Sequence, residues 1–214
     1  DKPYTWTSFQ VVKKIKYKIN HLYGKKIKIG HAGTLDPLAT GLLIICIGKF
    51  TKRIEEFQAQ EKEYTGSFTL GATTPSFDLE HPVDQTFPIE HITQEQILSV
   101  AKELTGKMDQ IPPMFSAKWI DGKRAYKLAR ENNQEVELKP KEIEIKEFEI
   151  TKIEMPKVYF RIVCSKGTYI RSIARDFGLM LQSGAYLSSL CRTRIGDYDL
   201  KDAVKLEDLE EHFQ

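Results

Sequence analysis

The stretch GHAGTLDPLATG, residues 30–41, holds one acid, Asp36, among three glycines and beside Pro37, with His31 five residues upstream. A lone carboxylate on constrained backbone can act as a nucleophile or a base. It does not suit ordinary glycoside hydrolysis, which uses two carboxylates, and no second acid stands nearby in the chain. Pro37 biases Asp36 toward extended backbone and removes the next N–H. Taken alone, the stretch reads more simply as an Asp-Pro turn whose carboxylate closes the loop.

Two further motifs carry polar and aromatic groups. In KGTYIR, Tyr169 and Arg171 fall in the first turn of an expected helix, where an arginine gains little from the helix dipole and is better explained by an acidic partner. A guanidinium beside a buried carboxylate favours the charged form and orients it through paired hydrogen bonds. Arg171 is the candidate for that role, against the equal alternative of a solvated helix arginine. Tyr64 lies in KEYTG, on an alternating strand. Tyr64 and Tyr169 are either core tyrosines, or one stacks on a planar ligand while the other lines its pocket. His31 is either a loop-packing residue or a side chain inserted into a nucleic-acid stack. The five histidines form no HxxxH pair, so no metal is predicted. The glycines make neither GxGxxG nor a Walker loop, and no nucleotide cofactor is implied.

The elements that must position these groups follow from periodicity. In TSFQVVKKIKYKINHLYG, Val11, Val12, Ile15, Ile19 and Leu22 share one face of a helix with a basic outer side, capped by Thr7 or Ser8 and ended by Gly24. A short strand at 27–29 leads into the Asp36 loop, and LLIICIG reads as a buried strand before a brief helix near 51–57. EKEYTGSFTLGA alternates, with Tyr64, Gly66, Phe68 and Leu70 on one face. Residues 73–92 form a long aperiodic loop, and loops of that length are more often functional than idle. Thr93 and Gln96 offer a capping box for a helix through Leu104, closed by Gly106. After a double proline come a strand, an Asp-Gly turn and a short helix. EIEIKEFEITKIEM and KVYFRIVCSKG, separated by Pro156, predict antiparallel neighbours. Thr168 can cap a helix whose apolar face is Ile170, Ile173, Ala174, Phe177 and Leu181. A strand at 186–191 and an acidic C-terminal helix from Leu206 finish the chain. The fold class predicted is α+β, a mixed, mostly antiparallel central sheet flanked by helices and loops.

Composition sets wider bounds. The 214 residues, 41% hydrophobic and 29% charged, suit one globular domain with embellishments over 1–214. No apolar run is long enough to cross a bilayer and no secretory signal is present, so a cytoplasmic protein with no membrane partner is expected. The three cysteines, Cys46, Cys164 and Cys191, form no CxxC and read as buried thiols. Net charge is only +2, but residues 1–53 hold eleven Lys and Arg against Asp1 and Asp36. Residues 161–194 hold six, Arg161, Lys166, Arg171, Arg175, Arg192 and Arg194, against Asp176. Brought together, these segments would form a positive surface suited to a phosphate backbone. By charge alone, solvated helix faces explain them better.

In order and spacing, DKP…TS at the start, GHAGTLDPLATGLL, KEYTG, PPMFSAKWIDGKRAYKLAR, SKGTYIRSIARDFG and GAYLSSLCRTRIG resemble the TruB-type tRNA pseudouridine synthases. The resemblance runs from residue 1 to about residue 200. It implies the pseudouridine synthase catalytic fold and isomerisation of a uridine in the T-loop of tRNA, position 55 by tRNA convention. It implies Asp36 as nucleophile, Arg171 as its partner, and Tyr64 stacked on the target base and aiding proton removal from C5. His31 contacts the tRNA, Tyr169 and Leu190 line the uridine pocket, and Lys2 and Pro3 support the catalytic loop. The buried uridine must be flipped out, and recognition rests on RNA shape, backbone and 2′-hydroxyls. The expected partner is the tRNA T-arm, the expected state a monomer, and no cofactor or metal is needed.

Thr5 replaces the usual glycine of DKPxGxTS, and Trp119 stands near where a lysine is more usual in the family. The chain is expected to be trimmed at its N-terminus and to lack a C-terminal RNA-binding (PUA) domain. Two rival functions remain at this stage: a non-catalytic RNA-binding protein or tRNA-folding chaperone on the same scaffold, and a carboxylate-dependent glycosidase. Intact Asp36, Tyr64 and Arg171 speak against the first, and the missing second acid against the other.

Overall fold

The computed structural model describes residues 1–115, 119–120, 123–124 and 138–213. Helix α1 (Ser8–Tyr23) forms as predicted, with Thr7 and Gln10 in a reciprocal capping box and Gly24 closing it in left-handed backbone. Val11, Val12, Ile15 and Ile19 are buried. Leu22, expected on the same face, is 56% exposed, because the apolar cluster that α1 covers ends at Ile19.

Next come β1 (Ile29–Ala32), β2 (Ala39–Gly41), β3 (Ile44–Ile47), a 3-10 helix (Gly48–Arg53) and α2 (Ile54–Ala59). Strands β1 and β3 pair antiparallel, with His31 opposite Ile45. The unbroken apolar run LLIICIG is explained by cover on both faces of this ribbon. Ile45 and Ile47 pack against Val11, Ile15, Ile19 and Leu43, while Ile44 and Cys46 meet Ala32 and Phe57.

Strand β4 (Lys62–Leu70) buries Tyr64, Phe68 and Leu70 on alternate positions, as predicted. Residues 73–92 are less irregular than expected, since β5 (Ala72–Thr73) pairs with β6 (Gln85–Thr86). Helix α3 (Gln94–Glu103) has the predicted Thr93–Gln96 capping box. Strand β7 (Gly106–Gln110) has no apolar alternation and is held by its backbone ladder to β10 (Lys141–Glu154). Strands β8 (Trp119–Ile120) and β9 (Lys123–Arg124) pair antiparallel, and the short helix predicted after them lies outside the described residues. Strands β10 (Lys141–Glu154) and β11 (Lys157–Cys164) are antiparallel neighbours, as the two alternating segments predict.

Helix α4 (Ile170–Met180), β12 (Ala185–Ile195) and β13 (Tyr198–Asp199) follow. The acidic C-terminal segment is a 3-10 helix, Asp208–Phe213, and not an α-helix. Cys46 and Cys164 are buried free thiols, whereas Cys191 is only half-buried. Among the described residues no helix is long and apolar enough to cross a membrane.

Contacts divide the chain into two units, Asp1–Thr65 with Ser189–Gln214, and Gly66–Ser188. In the first, β13 runs antiparallel to β12 and β2 runs parallel to it. In the second, β11, β10 and β7 lie side by side. The whole is α+β with a mixed, mostly antiparallel sheet.

The second unit is packed around four phenylalanines. Phe68 lies 4.3 Å from Phe160 and 5.4 Å from Phe177 between ring centroids, and Phe148 lies 5.8 Å from Phe177. Such tilted contacts add to the area term. Phe177, fully buried on α4, ties that helix to the sheet. Phe177→Ala therefore lowers stability by about 3–5 kcal/mol in urea unfolding; a loss below about 1 kcal/mol would contradict this packing.

Candidate active site

Asp36 lies between β1 and β2, half-buried, and starts a turn over residues 36–39. The Ala39 N–H donates to the Asp36 carbonyl at 3.1 Å, with Pro37 at the second position, where its fixed φ is favoured. The Asp-Pro turn is thus real, and further tethers fix it in place.

Three side chains from distant parts of the sequence hold this loop by its backbone. Ser8 Oγ, at the start of α1, donates to the Leu35 carbonyl (3.1 Å) and accepts the Leu35 N–H (2.8 Å). Arg192 on β12 donates from Nε to the Leu42 carbonyl (2.8 Å) and from Nη2 to the Gly33 carbonyl (3.1 Å), spanning both ends of the loop. Lys2 Nζ donates to the carbonyls of Pro37 (3.2 Å), Trp6 (2.5 Å) and Pro3 (3.0 Å). The Lys2 backbone also exchanges two hydrogen bonds with Gly41. Gly41 faces Arg192 across the β2–β12 ladder. At φ +101°, a Cβ on Gly41 would lie 2.4 Å from the Arg192 carbonyl oxygen, so only glycine fits.

Both cations are out of solvent: Lys2 is 0% exposed and Arg192 1%. Burial pulls the Lys2 ammonium down to about 8 from 10.5; Asp36 opposes the shift and Arg192 adds to it. His31 is lowered from 6.5 by burial first and by Arg192 second, against a backbone hydrogen bond at Gly33. The His31 Nδ1 is buried without a hydrogen-bond partner. The imidazole is therefore kept as a neutral, flat group beside a positively charged frame.

Six predicted residues, Lys2, Pro3, His31, Asp36, Tyr64 and Leu190, belong to the first unit. Leu190 pairs with Ala39 across β2 and β12, and its carbonyl accepts from Thr40 Oγ1 at 3.4 Å. Tyr64 is buried on β4, 8% exposed. Tyr169 and Arg171 belong to the second unit. Tyr169 is itself the N-cap of α4, where Thr168 was the predicted cap. Thr168 Oγ1 instead donates to the Ser165 carbonyl, and the Gln110 side chain accepts the Tyr169 N–H (2.8 Å) and donates to its carbonyl (3.1 Å).

Arg171 is 4% exposed, which rules out the solvated helix arginine. Its Nε lies 3.6 Å from Asp78 Oδ2, and it donates to the carbonyls of Ser76 (3.2 Å) and Phe115 (3.0 Å). Asp78, itself buried, accepts the Glu80 N–H at 3.0 Å. Sequence reasoning missed Ser8 and Arg192 as tethers of the Asp36 loop in the first unit, and Asp78 as the acid beside Arg171 in the second. Ser8 stands in DKP…TS, Arg192 in GAYLSSLCRTRIG and Asp78 in the long 73–92 loop, but none of these segments points to the partner that each side chain meets.

Several cations of the two basic segments are held by partners within their own unit. Lys2, Arg171 and Arg192 are buried and bound to carbonyls, Arg161 pairs with Glu147, Arg175 with Asp176 and Arg194 with Glu61. Charge counts register the cations but not the partners that take them inside. Among the described residues, no three His, Cys, Asp or Glu side chains come together to hold a metal.

The chain matches the family model described as TruB family pseudouridylate synthase (N terminal domain) over residues 20–170. It matches the tRNA pseudouridylate synthase B C-terminal domain over 171–214. It is 57% identical over 212 residues to the tRNA pseudouridine synthase B of Phocaeicola vulgatus, covering 99% of this chain and 90% of that one. With the Flavobacterium johnsoniae tRNA pseudouridine synthase B the identity is 56%, covering 100% and 94%. Among solved structures it resembles a chain in a Cbf5-Nop10-Gar1 complex, with TM-score 0.74 and 28% identity, and spans about half of that chain's length, 53%. A chain in an H/ACA RNP bound to a substrate RNA containing 2'-deoxyuridine gives TM-score 0.70 and 27% identity, with 51% of its length covered.

The lowered His31 fixes the sign of one pH effect. Between its folded value and 6.5 the unfolded chain binds more protons, so His31 adds stability as pH rises through that window and costs stability below it. An NMR titration of the His31 ring should give a midpoint below 6.5; a higher midpoint would contradict the buried, cation-flanked setting.

Proposed function

Because the chain belongs to the TruB family of pseudouridylate synthases, we propose that it converts the T-loop uridine of tRNA, position 55 by tRNA convention, to pseudouridine with Asp36 as nucleophile. The observation that carries this reading is the tethering of one half-buried carboxylate loop by Ser8, Lys2 and Arg192 at once. Isomerisation breaks the bond between the ribose C1′ and N1 of the base and forms one between C1′ and C5. The proton on C5 leaves and N1 gains one, so no water is consumed and no second carboxylate is needed to activate it. A carboxylate whose backbone cannot move keeps its reach to a nucleotide that is detached, turned and rejoined in place.

The remaining residues take the roles the family pattern assigns. The family resemblance gives Arg171 as the partner that orients Asp36, while within its own unit Arg171 is fixed by Asp78 and two carbonyls. Tyr64 stacks on the flipped base and aids removal of the C5 proton. Tyr169 and Leu190 line the uridine pocket. His31 contacts the tRNA, and its neutral ring suits stacking where the flipped base leaves a gap. Lys2 and Pro3 support the loop, which agrees with the three carbonyls that the Lys2 ammonium gathers. The T-arm of tRNA is the partner, read through backbone and shape.

The test uses an unmodified tRNA transcript. Asp36→Asn should bind the transcript within about threefold of wild type yet form no detectable pseudouridine at the T-loop position, since the amide cannot act as nucleophile. Product at the wild-type rate from Asp36→Asn would remove Asp36 from the chemistry. A wild-type protein that binds but forms none would favour a non-catalytic RNA-binding role.

A further inference from the structure

Helix α1 has a second face that the fold does not use. Its inner face, Val11, Ile15 and Ile19, is spent on the core. On the opposite side Phe9, Lys13, Tyr17 and His21 recur every four residues, all exposed, with Phe9 at 70% and Tyr17 at 75%. The Tyr17 and His21 rings are parallel within 3°, their centroids 6.4 Å apart. Lys16 is exposed as well, and the helix contains no acid. At about 1.5 Å per residue, the alternating stripe runs roughly 18 Å along the helix.

Ser8, whose hydroxyl holds Leu35 beside Asp36, is the first residue of this same helix. The stripe therefore begins next to the catalytic loop and leads away from it. Large exposed aromatics alternating with lysines are costly to leave in water without a use. They match a polymer whose charged backbone meets ammonium groups while its unpaired bases stack on rings. An anionic membrane would need the apolar face of α1, and that face is already buried. An acidic protein would use the lysines but gives no account of the parallel rings.

We infer that the outer stripe of α1 is an RNA-tracking ridge that binds the tRNA strand leaving the target uridine, lysines on phosphates and Phe9 and Tyr17 under bases. This rests on the reading that the chain acts on tRNA.

The experiment measures tRNA affinity of the whole chain against salt concentration, with pseudouridine formation by wild type recorded separately. Lys13→Gln with Lys16→Gln should flatten the plot of log Kd against log salt by about 1.5, while the matched Lys→Arg pair keeps the slope. Phe9→Ala with Tyr17→Ala should weaken binding about tenfold or more with the slope retained. All four side chains are exposed, so unchanged thermal melting confirms the fold. Affinity and slope equal to wild type in both Gln and Ala pairs would overturn the ridge. So would loss of binding only to phosphatidylserine vesicles. Binding is the readout for the ridge and product for the activity, so each can fail without the other.

Discussion

The Arg192 guanidinium, buried between the carbonyls of Gly33 and Leu42, is the contact on which the Asp36 loop depends. A charge taken out of water is tolerated only when it is hydrogen-bonded and compensated. Arg192 meets the first condition with backbone oxygens from both ends of the loop, so loop shape and cation burial require each other. A second buried cation, Lys2, gathers three more carbonyls, one of them Pro37 in the turn itself. Two cations so placed repel, which is part of why the Lys2 ammonium falls to about 8. Asp36 opposes that shift at Lys2. The carboxylate is thus part of the electrostatic balance of the fold, apart from the role proposed for it in the chemistry.

Much of the fold follows from local pattern. The capping boxes at Thr7 and Thr93, the buried face of α4 and the paired strands β10 and β11 rest on interactions within a few residues, or on strict alternation. The features that local reading missed depend on distant partners. Strand β7 is shaped by its ladder to β10, and the start of α4 is satisfied by Gln110, which stands where a local Thr168 cap is expected. Leu22 keeps the helical spacing but lies past the end of the cluster that would bury it.

The site divides the same way. Asp36 was legible as an isolated acid before a proline among glycines, and Gly41 has its reason in the approach of the Arg192 backbone. Lys2 counted in sequence as surface charge and gained a supporting role only through the family resemblance, and Arg171 read equally as a carboxylate's partner or a solvated arginine, whereas burial shows both as internal clamps. Arg192 counted only as one cation of a basic segment and motif, and its role gave no local sign, because its hydrogen-bond partners lie about 150 residues away along the chain. Polar residues that organise a backbone from afar are invisible to periodicity, and a charge count points away from them.

The central claim is that a buried bidentate cation holds the Asp36 loop in its reactive shape. Arg192→Lys tests it most directly, since a single ammonium on a flexible stem cannot reproduce a guanidinium that spans two carbonyls. With saturating unmodified tRNA, below the melting temperature of the variant, the single-turnover rate of pseudouridine formation should fall about tenfold or more while the tRNA Kd stays within about twofold. A wild-type single-turnover rate in Arg192→Lys would contradict the account.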